Sequence, residues 1–79
     1  MRLDKYLKIS RLIKRRTLAN EACDAGRVMV NGKVAKASVA VKVGDVIEVT
    51  FGSGGHRVRV LDVKEHVRKE DASAMYEII

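Results

Sequence analysis

Three consecutive cations, Lys14-Arg15-Arg16, stand at the start of a stretch with helical spacing. A helix N-terminus already presents free N–H groups and a partial positive charge. Cations placed there are unfavourable by about 0.3–1 kcal/mol each, and an anion reverses that sign. A phosphate at this end would meet backbone N–H groups and guanidinium forks together. The usual capping oxygen of Ser, Thr, Asp or Asn is absent from positions 14–16, although Thr17 is a rival cap. The competing reading is a solvated turn with incidental charge. Arg2, Lys5, Lys8 and Arg11 recur at three-residue steps, which keeps them in one broad band of a helix. With Lys14, Arg15 and Arg16 they would form one continuous positive surface, which Lys33 and Lys36 could extend. For any single lysine a solvated face is the simpler explanation; for the set it is not.

The charge totals agree. The chain has 79 residues, 16 Lys+Arg against 10 Asp+Glu, and a formal charge of +6. Residues 1–36 hold ten cations opposed only by Asp4, Glu21 and Asp24, a net +7, whereas residues 37–79 carry a net −1. Charge kept only for solubility has no reason to segregate in this way. The expected partner is a polyanion, nucleic acid before an anionic membrane surface. Aromatic residues are few: Tyr6, Phe51 and Tyr76. Readers of single strands stack bases on exposed aromatics. Phe51 is expected in the core, and Tyr6 either in the core or against a base. Structured RNA gripped by its backbone is therefore favoured.

Catalysis is not expected. His56 and His66 lack zinc-ligand spacing and are expected at the surface. Gly52 to Gly55 lacks the Lys-Ser/Thr of a phosphate loop. Cys23, the one cysteine, rules out an internal disulfide, suits a reducing cytosol, and reads as a small core residue. No metal, cofactor or catalytic residue is expected, nor a membrane span or signal peptide.

The elements that must position the cations follow from spacing. Residues 2–12 read as a helix with Leu3, Leu7 and Tyr6 on one face and Asp4 in the first turn, where it suits the helix dipole or orients Arg2. Residues 15–25 read as a second helix, with Leu18–Ala22 and Ala19–Cys23 pairs on an apolar stripe and Gly26 as its stop. Val28 to Ala35 reads as a hairpin about Asn31-Gly32. Residues 36–43 read as an irregular connection. Strands follow at Val46 to Phe51 and from His56, the second with a phase slip at Leu61 and Val63 that suggests a bulge. Residues from about 69 to 79 could form a short helix with Ala72, Met75 and Tyr76 on one side. The expectation is an α+β domain. Two N-terminal helices pack on a small antiparallel sheet, and a short C-terminal helix follows. Residues 1–63 form the body and residues 64–79 a tail of the same domain.

These residues are also familiar. Arg2-Leu3-Asp4, Ala19, Gly26, Val28, Val30-Asn31-Gly32 and Gly44-Asp45 resemble the S4 (alpha-L) RNA-binding domain in register over residues 1–51. The resemblance implies an RNA surface of Arg2, Lys5, Lys8, Arg11, Arg15, Arg16 and Lys33, with Asp4 orienting Arg2 or meeting a ribose or base. Many members carry Ser or Thr where this chain has Arg15, so a cap would have to come from elsewhere. With KRRTLA in the second helix and a late AxxMYEII segment, the whole chain resembles stand-alone heat-shock S4 proteins. It resembles more closely the P-site tRNA-stabilising factors of bacterial ribosome-associated quality control, the RqcP family.

That resemblance implies a cytoplasmic protein bound to a stalled large ribosomal subunit. Large-subunit (23S) rRNA and P-site peptidyl-tRNA would be its ligands, and RqcH, which directs C-terminal alanine tailing, its co-worker. A monomer is expected. The rival expectations are a heat-shock-type recycling factor, a DNA-binding module imitating helix-turn-helix, and an unrecognised enzyme or enzyme subunit.

Overall fold

The computed structural model describes residues 1–52 and 54–79. Helix α1 spans Leu3–Ile9 and helix α2 spans Arg16–Asp24. Strands β1 (Val28–Val30), β2 (Lys33–Val34), β3 (Val46–Phe51) and β4 (Gly54–Val60) follow, then a 3-10 helix η1 (Lys69–Met75) and strand β5 (Tyr76–Ile78). All pairings are antiparallel, in the order β2-β1-β3-β4-β5.

The first helix is shorter than its periodicity suggests. Ser10 is buried and its hydroxyl donates to the Leu7 carbonyl, and Arg11 takes the left-handed conformation (φ 64°) that usually falls to glycine. Arg11 is therefore not a member of the α1 band. The second helix begins at Arg16, one residue later than its sequence suggests. It ends as the sequence implies: Gly26 at φ 73° donates to the Cys23 carbonyl, and Arg27 to that of Ala22. Asn31 and Gly32 both have positive φ, which closes a two-residue hairpin between Val30 and Lys33. The Asn31 amide then caps the start of β3: its oxygen accepts from Val46 N–H at 2.9 Å and its nitrogen donates to Asp45 at 3.1 Å.

Leu3, Tyr6 and Leu7 of α1, Ala19 and Cys23 of α2, and Val28, Ile47, Val49, Val58 and Val60 of the sheet share one core. Two residues expected inside are outside. Leu18 is 47% exposed, because α2 meets α1 through the smaller Ala19 and Cys23. Phe51 is 42% exposed, because β3 runs on past the cover of the helices; its ring meets His56 edge-on. The phase slip after Val60 is no bulge: the strand ends there. His56 and His66 are exposed.

The tail differs from a simple helix. Its 3-10 turn buries Ala72 and Met75, then Tyr76–Ile78 extends the sheet beside β4. The Met75 carbonyl is the junction. It accepts from Leu61 N–H at 2.8 Å and from the buried Tyr6 hydroxyl at 2.7 Å, so α1 holds the tail directly. Burial, with smaller effects from Tyr76 and Asp62, pushes the Tyr6 phenol above its ordinary range, so it stays a donor. Replacing Tyr6→Phe removes one buried hydrogen bond, a cost of about 1 kcal/mol. The melting midpoint should fall by about 4–8 °C for a chain of this size. Faster amide exchange should be confined to the tail, and a midpoint equal to that of the wild type would show that strand pairing alone secures it.

Candidate nucleic-acid interface

The opening residues are laced to the connection after the hairpin. Leu3 N–H donates to the Val39 carbonyl at 2.8 Å and Asp4 N–H to that of Ala37 at 3.2 Å, while Arg2 bridges Ala40. The irregular stretch at 36–43 thus fixes the start of α1, and Lys36 lies one residue from this lacing. Asp4 is consequently buried, only 2% exposed.

A buried carboxylate needs partners. Asp4 has three. Arg2 donates to it through Nε at 3.2 Å and Nη2 at 3.5 Å. Arg16 approaches with Nη2 at 3.5 Å and Nε at 3.4 Å. The N–H of Lys5 donates at 2.8 Å. Burial alone would raise the Asp4 pKa. The hydrogen bonds from Arg2, Arg16 and Lys5, with the Arg16 charge, outweigh it and hold the carboxyl below its ordinary value. The carboxylate thus joins α1 to α2, and about half of each guanidinium-bearing side chain remains exposed (51% for Arg2, 49% for Arg16). Thr17, Asn20 and Glu21 line a shallow cleft beside this pair.

Arg15 is the N-cap of α2, and no side chain caps that end. The first turn of α2 also contains no acid. Thr17, the rival cap, lies inside the helix. The unmet N–H groups of this turn therefore point out beside Arg15 and Arg16, as an anion site requires.

The remaining cations divide. Lys8 and Lys14 are exposed and, with Arg11, line a second cleft against Glu65 and His66. Lys5 is half-buried and ion-paired to Glu65, a contact that links α1 to the tail. That pairing, with smaller help from His66, lowers the pKa of the exposed Glu65 carboxyl. Lys33 is exposed at the hairpin end of edge strand β2, with no ion pair among the described residues. Tyr6 is fully buried and offers no surface to a base.

Sequence reasoning missed Glu65, which lies 60 residues from Lys5 along the chain, and the pairing of Asp4 with Arg16 as well as Arg2. For Asp4 a signal existed, since it is one of only three acids among the first 36 residues. No comparable signal marked Glu65.

The Cys23 thiol is buried, and burial, aided by Asp4 and Asp24, pushes its pKa up to about 11, which suppresses the nucleophilic thiolate. Among the described residues no group of His, Cys, Asp and Glu could hold a metal ion, and no helix is long and apolar enough to cross a membrane.

Comparison with known proteins agrees with this arrangement. Residues 1–47 match the S4 domain. The chain is 59% identical over 78 residues to the "RQC P-site tRNA stabilizing factor" of Halalkalibacterium halodurans, covering 99% of this chain and 89% of that protein. It is 57% identical to the protein of the same name from Streptococcus pneumoniae, covering 100% and 90%. Among solved structures, the trimeric Heat Shock Protein 15 of Vibrio cholerae superposes with a TM-score of 0.93 at 30% identity, covering 100% of this chain and 81% of that one. A "Heat shock protein 15 homolog" of Aeromonas salmonicida is 38% identical, but this chain spans only 59% of its length. The chain belongs to the S4 domain family, in the branch of the RQC P-site tRNA stabilizing factors.

Proposed function

We propose that this chain is an RNA-binding factor of bacterial ribosome-associated quality control. It binds stalled large ribosomal subunits in the cytoplasm, contacts large-subunit rRNA and the P-site peptidyl-tRNA, and steadies that tRNA while RqcH directs alanine tailing. It acts as a monomeric binder and makes or breaks no bond. The observation that carries this reading is the buried Asp4, which presents Arg2 and Arg16 side by side at the uncapped start of α2. Guanidinium forks suit phosphate oxygens, and a pair already held in place loses little freedom on binding. Lys8, Arg11, Lys14, Arg15, Lys33 and Lys36 add salt-dependent attraction to the backbone.

The reading takes its biological setting from full-length relatives of 54–59% identity that carry the stabilizing-factor name. These outweigh the heat-shock homologue at 38%, so tailing is favoured over recycling.

Co-sedimentation with large subunits at matched salt tests it. Arg16→Glu should abolish association. Because a new carboxylate beside Asp4 could loosen α2, Arg16→Gln serves as the gentler variant; it should weaken binding on the order of tenfold or more, with an unchanged circular dichroism spectrum. Normal co-sedimentation of a folded Arg16→Gln chain refutes the proposed surface. Asp4→Asn offers a sharper contrast. It raises the net charge by one, which by attraction alone would tighten RNA binding; loss of positioning should instead weaken it, and tighter binding would reduce Asp4 to a screening charge.

Asp4 also sets an acid limit. Its pKa is lower folded than unfolded. Its contribution to stability is therefore present above the unfolded value of about 3.9 and is lost as pH falls through the folded value. In acid melts the wild type should converge on Asp4→Asn below about pH 4.

A further inference from the structure

Helix α1 lies between two walls. On one side Asp4 ties it to α2 through Arg16; on the other Lys5 ties it to the 64–68 loop through Glu65. Between the end of α1 and that loop is a cleft of about 310 Å³. Lys8, Arg11 and Lys14 line it from the end of α1 and the turn that follows, and Glu65 and His66 from the loop, over the apolar Ile9 and Val67. All five polar residues are exposed. Arg11 holds its place there in a left-handed backbone conformation (φ 64°), the kind of cost that side chains with a role at a site tend to carry.

The two acids on these walls differ in kind. Asp4 is buried and is fastened by a backbone N–H as well as by two guanidiniums. Glu65 keeps 60% of its side chain exposed and, among the described residues, is ion-paired to Lys5 alone. Exposed pairs of that sort contribute little and are screened by salt. A phosphate entering the cleft meets Glu65 at its wall and can push that carboxylate aside at little cost, whereas it cannot displace Asp4.

We propose that the 64–68 loop converts the N-terminal cationic face into a two-walled groove for RNA. Lys8, Arg11, Lys14 and His66 form a second phosphate subsite, and Glu65 is a displaceable internal counter-ion for Lys5. The proposal rests on the RNA-binding reading above and adds to it a part of the chain beyond the residues that match the S4 domain. The ligand is a phosphodiester backbone, from rRNA or from tRNA.

The test titrates the full chain with large subunits carrying P-site tRNA and, separately, with subunits stripped of tRNA, at several salt concentrations. Lys14→Ala combined with His66→Ala should weaken binding on the order of tenfold. The slope of log affinity against log salt should become shallower by about one for each phosphate that the variant no longer neutralises. Glu65→Gln should tighten binding about threefold or more beyond Glu70→Gln, which removes an equal charge from the 3-10 turn, outside the lining of the cleft. A gain of affinity cannot come from misfolding. Weakening with both kinds of subunit assigns the backbone to rRNA; weakening only with tRNA present assigns it to tRNA. The groove is overturned if the double variant binds both as tightly as the wild type, or if Glu65→Gln gains no more than Glu70→Gln. Arg16→Gln run in parallel separates the two failures, since its loss of binding persists when only the groove is wrong.

Discussion

One carboxylate decides the geometry of the cationic face. Two unit charges about 4 Å apart near a protein surface interact by about 4 kcal/mol, so two guanidiniums brought together unaided would push apart. Asp4 lies within 3.5 Å of both Arg2 and Arg16 and turns that repulsion into a bridge between the two helices. It does so as an anion, because the donors around it outweigh its burial. The buried carboxylate gathers the two arginines in advance, and each guanidinium-bearing side chain stays about half exposed to solvent; in the function proposed above, that exposed edge is what meets a phosphate oxygen.

Asp4 can work only if the chain ahead of it is fixed. Four residues from an N-terminus would ordinarily fray. Here Met1, Arg2, Leu3 and Asp4 all engage the segment from Ala37 to Val41 through backbone contacts. Leu3, Tyr6 and Leu7 then lock α1 onto the sheet, and the Tyr6 hydroxyl reaches the Met75 carbonyl. The helix is seven residues long, below the length at which isolated helices persist in water. Its order comes from tertiary burial, so the cationic face inherits its rigidity from the core.

The sequence was most readable where a signal was local. The Gly26 stop, the Asn31-Gly32 turn and the alternation of Ile47 with Val49 each need only near neighbours, and each appears at its expected place. It was least readable where geometry joined distant segments. Three-residue spacing put Arg11 on a helix that ends at Ile9, because nothing nearby reveals that an arginine will take a glycine's conformation. Periodicity buried Leu18 and Phe51, but burial depends on which neighbours an element meets: α2 faces α1 through Ala19 and Cys23, which leaves Leu18 outside, and β3 runs past the cover of the helices at Phe51. Strand β5 is three residues long and pairs only with β4, so no alternation could announce it. Of the surface cations, the set was legible from composition. The division of labour between Asp4 and Glu65 was not, since it depends on which acid the fold buries.

The segregation of charge along the chain becomes a segregation of pairing in space. In the second half, Arg57 meets Glu48, Arg59 meets Glu77 at 2.6 Å, and Lys64 meets Asp62, so the sheet and tail largely neutralise themselves. In the first half, among the described residues, Lys8, Arg11, Lys14 and Arg15 make no ion pair, and Arg2 and Arg16 share a single carboxylate. A net charge of +6 spread evenly would give a weak field in every direction. Self-neutralisation of the sheet removes its part of that field and leaves a directed one over the helix pair. Such a field steers a polyanion to one face and orients it before contact. For so small a chain, orientation before contact matters as much as affinity, because one face alone offers the preorganised arginines.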